Sequence, residues 1–168
     1  MEIKAILMKP YTDIERMNFI VENNHQSGYE IKETQEALEA WGLDDAELLE
    51  QAKATKYQEA LEGAKNYIDT EAAFQFNENN SIEATDGNIG KFTAYALGFS
   101  TGTLEKVYWT TKEDNVIELD AQDVQAILLG LGEIQSNIWN IQFLNYKQQI
   151  DNATTVQEVE NIVIDYEE

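Results

Sequence analysis

Residues 120–152 read DAQDVQAILLGLGEIQSNIWNIQFLNYKQQIDN, and their periodicity decides the fold. Val124, Ile127, Leu131, Ile134, Ile138 and Ile141 recur at alternating spacings of three and four, the heptad pattern of one apolar helix stripe. With Asp120 as the N-cap, this predicts one helix from about residue 121 to 152. A second stripe, Trp139, Phe143, Tyr146 and Ile150, takes over toward its end. On a straight helix, two stripes imply two packing partners. The first is expected to cover a sheet of the same chain, because folding within one chain avoids the association cost. An intermolecular coiled coil, and hence a homo-oligomer, is the alternative. Trp139, Phe143, Tyr146 and Ile150 are then left to meet the N-terminal helices or a partner protein, and are taken as the candidate partner contact.

Upstream of this helix the period changes to two. Phe74 and Phe76, then Ile82 and Ala84, alternate around a polar turn, and residues 106–111 and 116–119 flank a second turn. Both segments read as β-hairpins. Ile89, Phe92, Ala96 and Phe99 at spacings of three and four give a short helix between them. The expected fold is α+β: the two hairpins form a small antiparallel sheet packed on the long C-terminal helix. Trp109 and Ile134 are expected in the core between them. Thr155 with Glu158 forms a capping box before a last short helix, and residues 163–166 suit an edge strand.

The N-terminal part reads as helical. Thr12 with Glu15 is a capping box, Ile14, Met17, Ile20 and Val21 follow at helical spacing, and Gly28 supplies a stop. Ala37, Leu38 and Trp41 give residues 31–41 a second helical stripe, ending at Gly42. Asp44 with Glu47 opens a longer, charge-rich helix to about Tyr67. The expected organisation is a helical segment over 1–43, a partly exposed connector helix over 44–70, and an α+β domain over 71–168.

Composition restricts the function. The chain has 168 residues, with 32 acids against 11 bases, for a net charge of −21. Phosphate backbones require clustered cations, so nucleic acid is not an expected partner, and neither is an anionic membrane. No apolar run approaches the roughly 20 residues that span a bilayer, so neither a span nor a signal peptide is expected. Cysteine is absent, which removes thiol chemistry. The single histidine, His25, suits the C-terminal end of its helix better than catalysis, and no Gly-x-Ser-x-Gly elbow is present. Residues 77–88 imitate a calcium loop, but Ile82 replaces its glycine and Asn88 its bidentate glutamate. No catalytic residue, metal or cofactor follows from these patterns.

Two groups of residues carry a family resemblance. Trp109-Thr110-Thr111, Asp114-Asn115, Leu119, the long helix, Ile150, Ala153-Thr154 and Glu158-Val159 resemble a domain of unknown function from bacteriophage tail modules, over about residues 72–166. Pro10-Tyr11-Thr12-Asp13, Phe19-Ile20-Val21-Glu22, His25 and Glu33-Thr34 are similar to the start of small proteins encoded beside tail-fibre genes in phages and prophages of Firmicutes. The resemblance implies a non-enzymatic tail component near the baseplate or fibre attachment, or a fibre-assembly chaperone absent from the mature particle. It implies tail or fibre proteins as partners and the virion as the destination, after synthesis in the host cytoplasm.

Overall fold

The computed structural model describes residues 1–167. The chain divides into two compact units, Met1–Lys53 and the remainder from Ala54 onward, and it is mixed α+β throughout.

The first unit corrects the expected helical segment. Residues 2–8 form strand β1 (Glu2–Met8), followed by helix α1 (Asp13–Ile20), strand β2 (Glu30–Glu33) and strand β3 (Ala37–Gly42). These strands make one antiparallel sheet in the order β1-β3-β2. The capping box of α1 forms as expected, with Glu15 N–H donating to the Thr12 hydroxyl. Residues 31–41 are not helical. Thr34 turns the chain, its hydroxyl accepting the Ala37 amide at 3.0 Å, and β3 then lies between two partners. Leu38, Ala40 and Gly42 are buried at period two, so cross-strand pairing overrides the helix preference of the alanines. Gly42 is required by space: a Cβ there would stand 2.8 Å from the Tyr29 ring.

The second unit holds the main core. Helix α2 (Asp45–Thr70) begins in the first unit and ends in the second. Its N-terminus is closed by the Asp44–Glu47 box, each residue's amide donating to the other's carboxylate. Beyond Lys53 the helix is partly exposed, as expected, but it belongs to the second unit: Ala60, Ala64 and Ile68, at i, i+4 and i+8, are buried in the core. The boundary expected near residue 70 therefore gives way to the division after Lys53. Strands β4 (Ala73–Asn77) and β5 (Asn80–Glu83), helix α3 (Asp86–Ser100), strands β6 (Val107–Thr110) and β7 (Val116–Leu119), and helix α4 (Ala121–Asn137) follow.

The two hairpins are separate two-stranded sheets, β4-β5 and β6-β7, and not one sheet. Their turns are clasped together. Lys112 N–H donates to the Ser81 carbonyl at 3.1 Å, while Ser81 N–H donates to the Glu113 carboxylate at 2.8 Å and the Ser81 hydroxyl donates to it as well. These bonds to the ionised form hold the Glu113 carboxyl down at about 2. Asp114 completes the turn at φ 61, a left-handed conformation that aspartate tolerates.

Helix α4 lies across β4, β5 and β7 with α3 beside it. Phe92, Leu119, Val124, Ile127 and Leu131 are fully buried at this junction. Gly130 sets the spacing: a Cβ there would fall 2.1 Å from the Phe74 ring. Trp109 packs on Phe92 with ring centroids 4.6 Å apart, whereas Ile134 is only partly buried at the rim of the core.

Candidate functional site

Trp139, Phe143, Tyr146 and Ile150 are brought together by the structure, but inward. After α4 the chain makes a π-helical turn (Ile138–Phe143) and continues as α5 (Leu144–Asn152). In an α-helix of 3.6 residues per turn, Phe143 would stand about 140° around from Ile138. A turn with i→i+5 bonds brings residue i+5 back above residue i. The second stripe thereby rejoins the first on one face. Ile138, Phe143 and Ile150 are all buried, while Ile141, the next heptad position, is 64% exposed. The heptad seam ends at the π turn, which removes the basis for a continuous coiled coil.

This corrects the assignment of the four residues as a partner contact. Phe143 meets Trp139 and Tyr57 edge-on, each at 5.5 Å between centroids. Tyr146 meets Tyr166 at 5.3 Å. Helix α6 (Val156–Glu160), capped by the expected Thr155–Glu158 box, leads to a segment, 162–167, that is not the expected edge strand. Side chains hold it instead. The Tyr146 hydroxyl donates to the Asp165 carbonyl and accepts the Asp165 amide at 3.1 Å. Tyr166, itself buried, donates to the Ala60 carbonyl at 2.8 Å. Burial pushes its phenol up to about 12, with the neighbouring Tyr146 adding to the shift. The stripe's partners are thus α2 and the chain's own C-terminal segment.

Three exposed apolar groups of the first unit are ones that the sequence pattern assigns to packing. Ile14, Met17 and Val21, at i, i+3 and i+7, form one stripe on α1 and the π-helical turn that follows it (Val21–Gln26), and all three face solvent. Phe19 and Ile20 are half-buried, and Asn23 is buried, donating to the Phe19 carbonyl at 2.9 Å. In β1, Ile6 and Met8 are exposed while the intervening Leu7 is half-buried. The helical period in the sequence is therefore real, but the buried side of α1 is set one position over from the richest apolar stripe. Period alone finds a stripe and not the direction in which it points.

The polar contacts of this unit centre on Glu33. Glu33 accepts from the Tyr11 hydroxyl at 2.7 Å and pairs with Lys9 at 3.1 Å and Arg16 at 3.2 Å. These donors, Tyr11 foremost, hold its carboxyl at about 2. His25 is exposed on the π-helical turn. Among the described residues no three His, Asp or Glu side chains are grouped so as to hold a metal ion, and no helix is long and apolar enough to cross a membrane. In comparisons with known proteins, no family model, curated protein or solved structure matches the chain.

Proposed function

We propose that this chain is a non-enzymatic structural component of a bacteriophage or tailocin tail, near the baseplate or the fibre attachment, acting through protein contacts. The observation that carries the reading is the stripe Ile14, Met17 and Val21, solvent-facing in a chain of net charge −21. Large apolar side chains lined up on one exposed helix face mark a surface that a protein partner covers. The residues of this segment, Phe19-Ile20-Val21-Glu22 among them, are also those that resemble the start of proteins encoded beside tail-fibre genes. The contact therefore belongs to the first unit and not to the helix end at Trp139, Phe143, Tyr146 and Ile150.

Mass spectrometry of purified particles tests the reading. The chain is expected in mature particles at fixed stoichiometry, and Met17→Asp is expected to exclude it from them while leaving it folded. Presence in lysates with absence from particles would assign it to assembly, as a fibre chaperone.

A further inference from the structure

A second surface lies in the other unit, where the two hairpins part. The Lys112–Ser81 bond joins them at one end, but β5 and β6 do not pair. Between them opens a groove of about 440 Å³, lined by Glu83 from β5, by Tyr108, Trp109 and Thr110 from β6, and by Asn88, Lys91 and Tyr95 from α3. The three α3 residues fall at i, i+3 and i+7 on one face. The volume lies in the range of small-molecule sites.

The aromatic wall is backed from inside the unit. Trp109 is backed by the buried Phe92 at 4.6 Å and flanked edge-on by Tyr95 at 6.3 Å. The Tyr108 hydroxyl donates to Glu118 at 2.8 Å, whereas other polar groups around the wall make no such bond. Among the described residues the Glu83 carboxylate, the Tyr95 and Thr110 hydroxyls and the Trp109 indole N–H make no hydrogen bond within the chain. Lys91 lays its ammonium over the Trp109 ring, 5.3 Å from the centroid, and forms no ion pair with Glu83, although both line the same groove. Asn88 spends its amide on the Glu83 carbonyl at 3.1 Å.

We propose that this groove binds an uncharged saccharide. One acid and one base line it, so their charges cancel, and a phosphorylated or carboxylated ligand would meet a single cation in a strongly acidic chain. The polar side chains around the aromatic wall disfavour a purely aliphatic ligand. A pyranose fits both features. Its C–H face packs by dispersion against the Trp109 ring in place of the flexible Lys91 side chain, and its hydroxyls, each both donor and acceptor, satisfy the indole N–H and the displaced ammonium as donors and the carboxylate as acceptor. The site is independent of the tail reading, since it uses neither the first unit nor its apolar stripe.

The test titrates the whole chain with neutral methyl glycosides of glucose, galactose, rhamnose and N-acetylglucosamine and their oligomers, following tryptophan fluorescence and ligand-observed NMR. At least one is expected to bind and to perturb the fluorescence, and the fluorescence change is expected to vanish in Trp109→Phe. Glu83→Gln and Lys91→Ala change exposed side chains and keep the fold. Each is expected to weaken binding about tenfold, as for loss of a hydrogen bond to a charged group. Failure of every neutral glycoside to bind at tens of millimolar overturns the proposal. So does binding that both variants leave unchanged. Tighter binding of sugar phosphates, or of extended peptides pairing with the free edges of β5 and β6, overturns it in favour of that ligand.

Discussion

In the second unit, Val124, Ile127, Leu131, Ile138, Phe143 and Ile150 on the inner face are all buried. In the first unit, α1 turns Ile14 and Met17 to solvent, while the sheet beside it buries little more than Ala37, Leu38 and Ala40. Both helices open with a formed capping box, and both carry apolar residues at helical spacing. They differ in what surrounds them. Helix α4 has two hairpins, α3 and α2 to share its core, and the chain's own C-terminal segment closes over α5. The first unit has three strands, α1 and the first turns of α2, too little apolar surface to enclose every large side chain it carries. The comparison separates side chains that fold the protein from side chains that remain available to a partner.

The largest expected effect tests the buried side. Phe92→Ala removes the ring that Trp109 and Tyr95 pack against, and about 3–5 kcal/mol of stability should be lost. Chemical denaturation should show the loss in the transition that Trp109 fluorescence reports. Trp109→Ala and Ile134→Ala act nearer the rim and should cost less than Phe92→Ala, with Ile134→Ala the mildest of the three.

Two glycines two residues apart on α4 sharpen the point. Gly130→Ala drives a methyl into the Phe74 ring and should destabilise by about 1–3 kcal/mol as overpacking. At Gly132 nothing lies within 4 Å of the added atom, so Gly132→Ala should stabilise by about 0.5–1 kcal/mol through helix propensity. Thermal melts of the two variants should move in opposite directions.

On the exposed side, Met17→Asp should change stability by no more than about 0.5 kcal/mol, as for surface substitutions that break no buried contact. A loss comparable to that of Phe92→Ala would mean that α1 is packed more tightly than its exposure indicates, and would remove the case for a docking stripe.

Acid titration gives the smallest effect and reports on each unit separately. Glu33 and Glu113 ordinarily titrate near 4.5, and both are held at about 2. Because the folded values are depressed, the stabilisation is fully present above about 4.5 and is lost as pH falls through about 2. Both groups are exposed, so solvent screening keeps the contribution modest. Glu113→Gln should speed exchange of the Ser81 amide at neutral pH, whereas Tyr11→Phe should raise the Glu33 titration midpoint in carboxylate NMR without touching Ser81.

The sequence by itself determined the elements whose signals are local. The boxes Thr12–Glu15, Asp44–Glu47 and Thr155–Glu158 and the Asp120 cap each join atoms two or three residues apart, so residue identity suffices to place them. The two hairpins of the second unit and helix α3 were legible for the same reason, as was the α+β class. Only the tertiary structure decided that 31–41 would be strands, because Ala37, Leu38 and Ala40 become a central strand only when β1, some thirty residues earlier, pairs with them. Only it decided that Trp139, Phe143, Tyr146 and Ile150 would face the core, because one π-helical turn rotates the second stripe onto the first and Tyr57 and Tyr166 arrive from distant segments to cover it. The groove at Trp109 was illegible too, since Glu83, Lys91 and Trp109 lie on three separate elements. Spacing along a chain fixes what a short segment prefers; which face is buried depends on contacts whose partners lie far away in sequence.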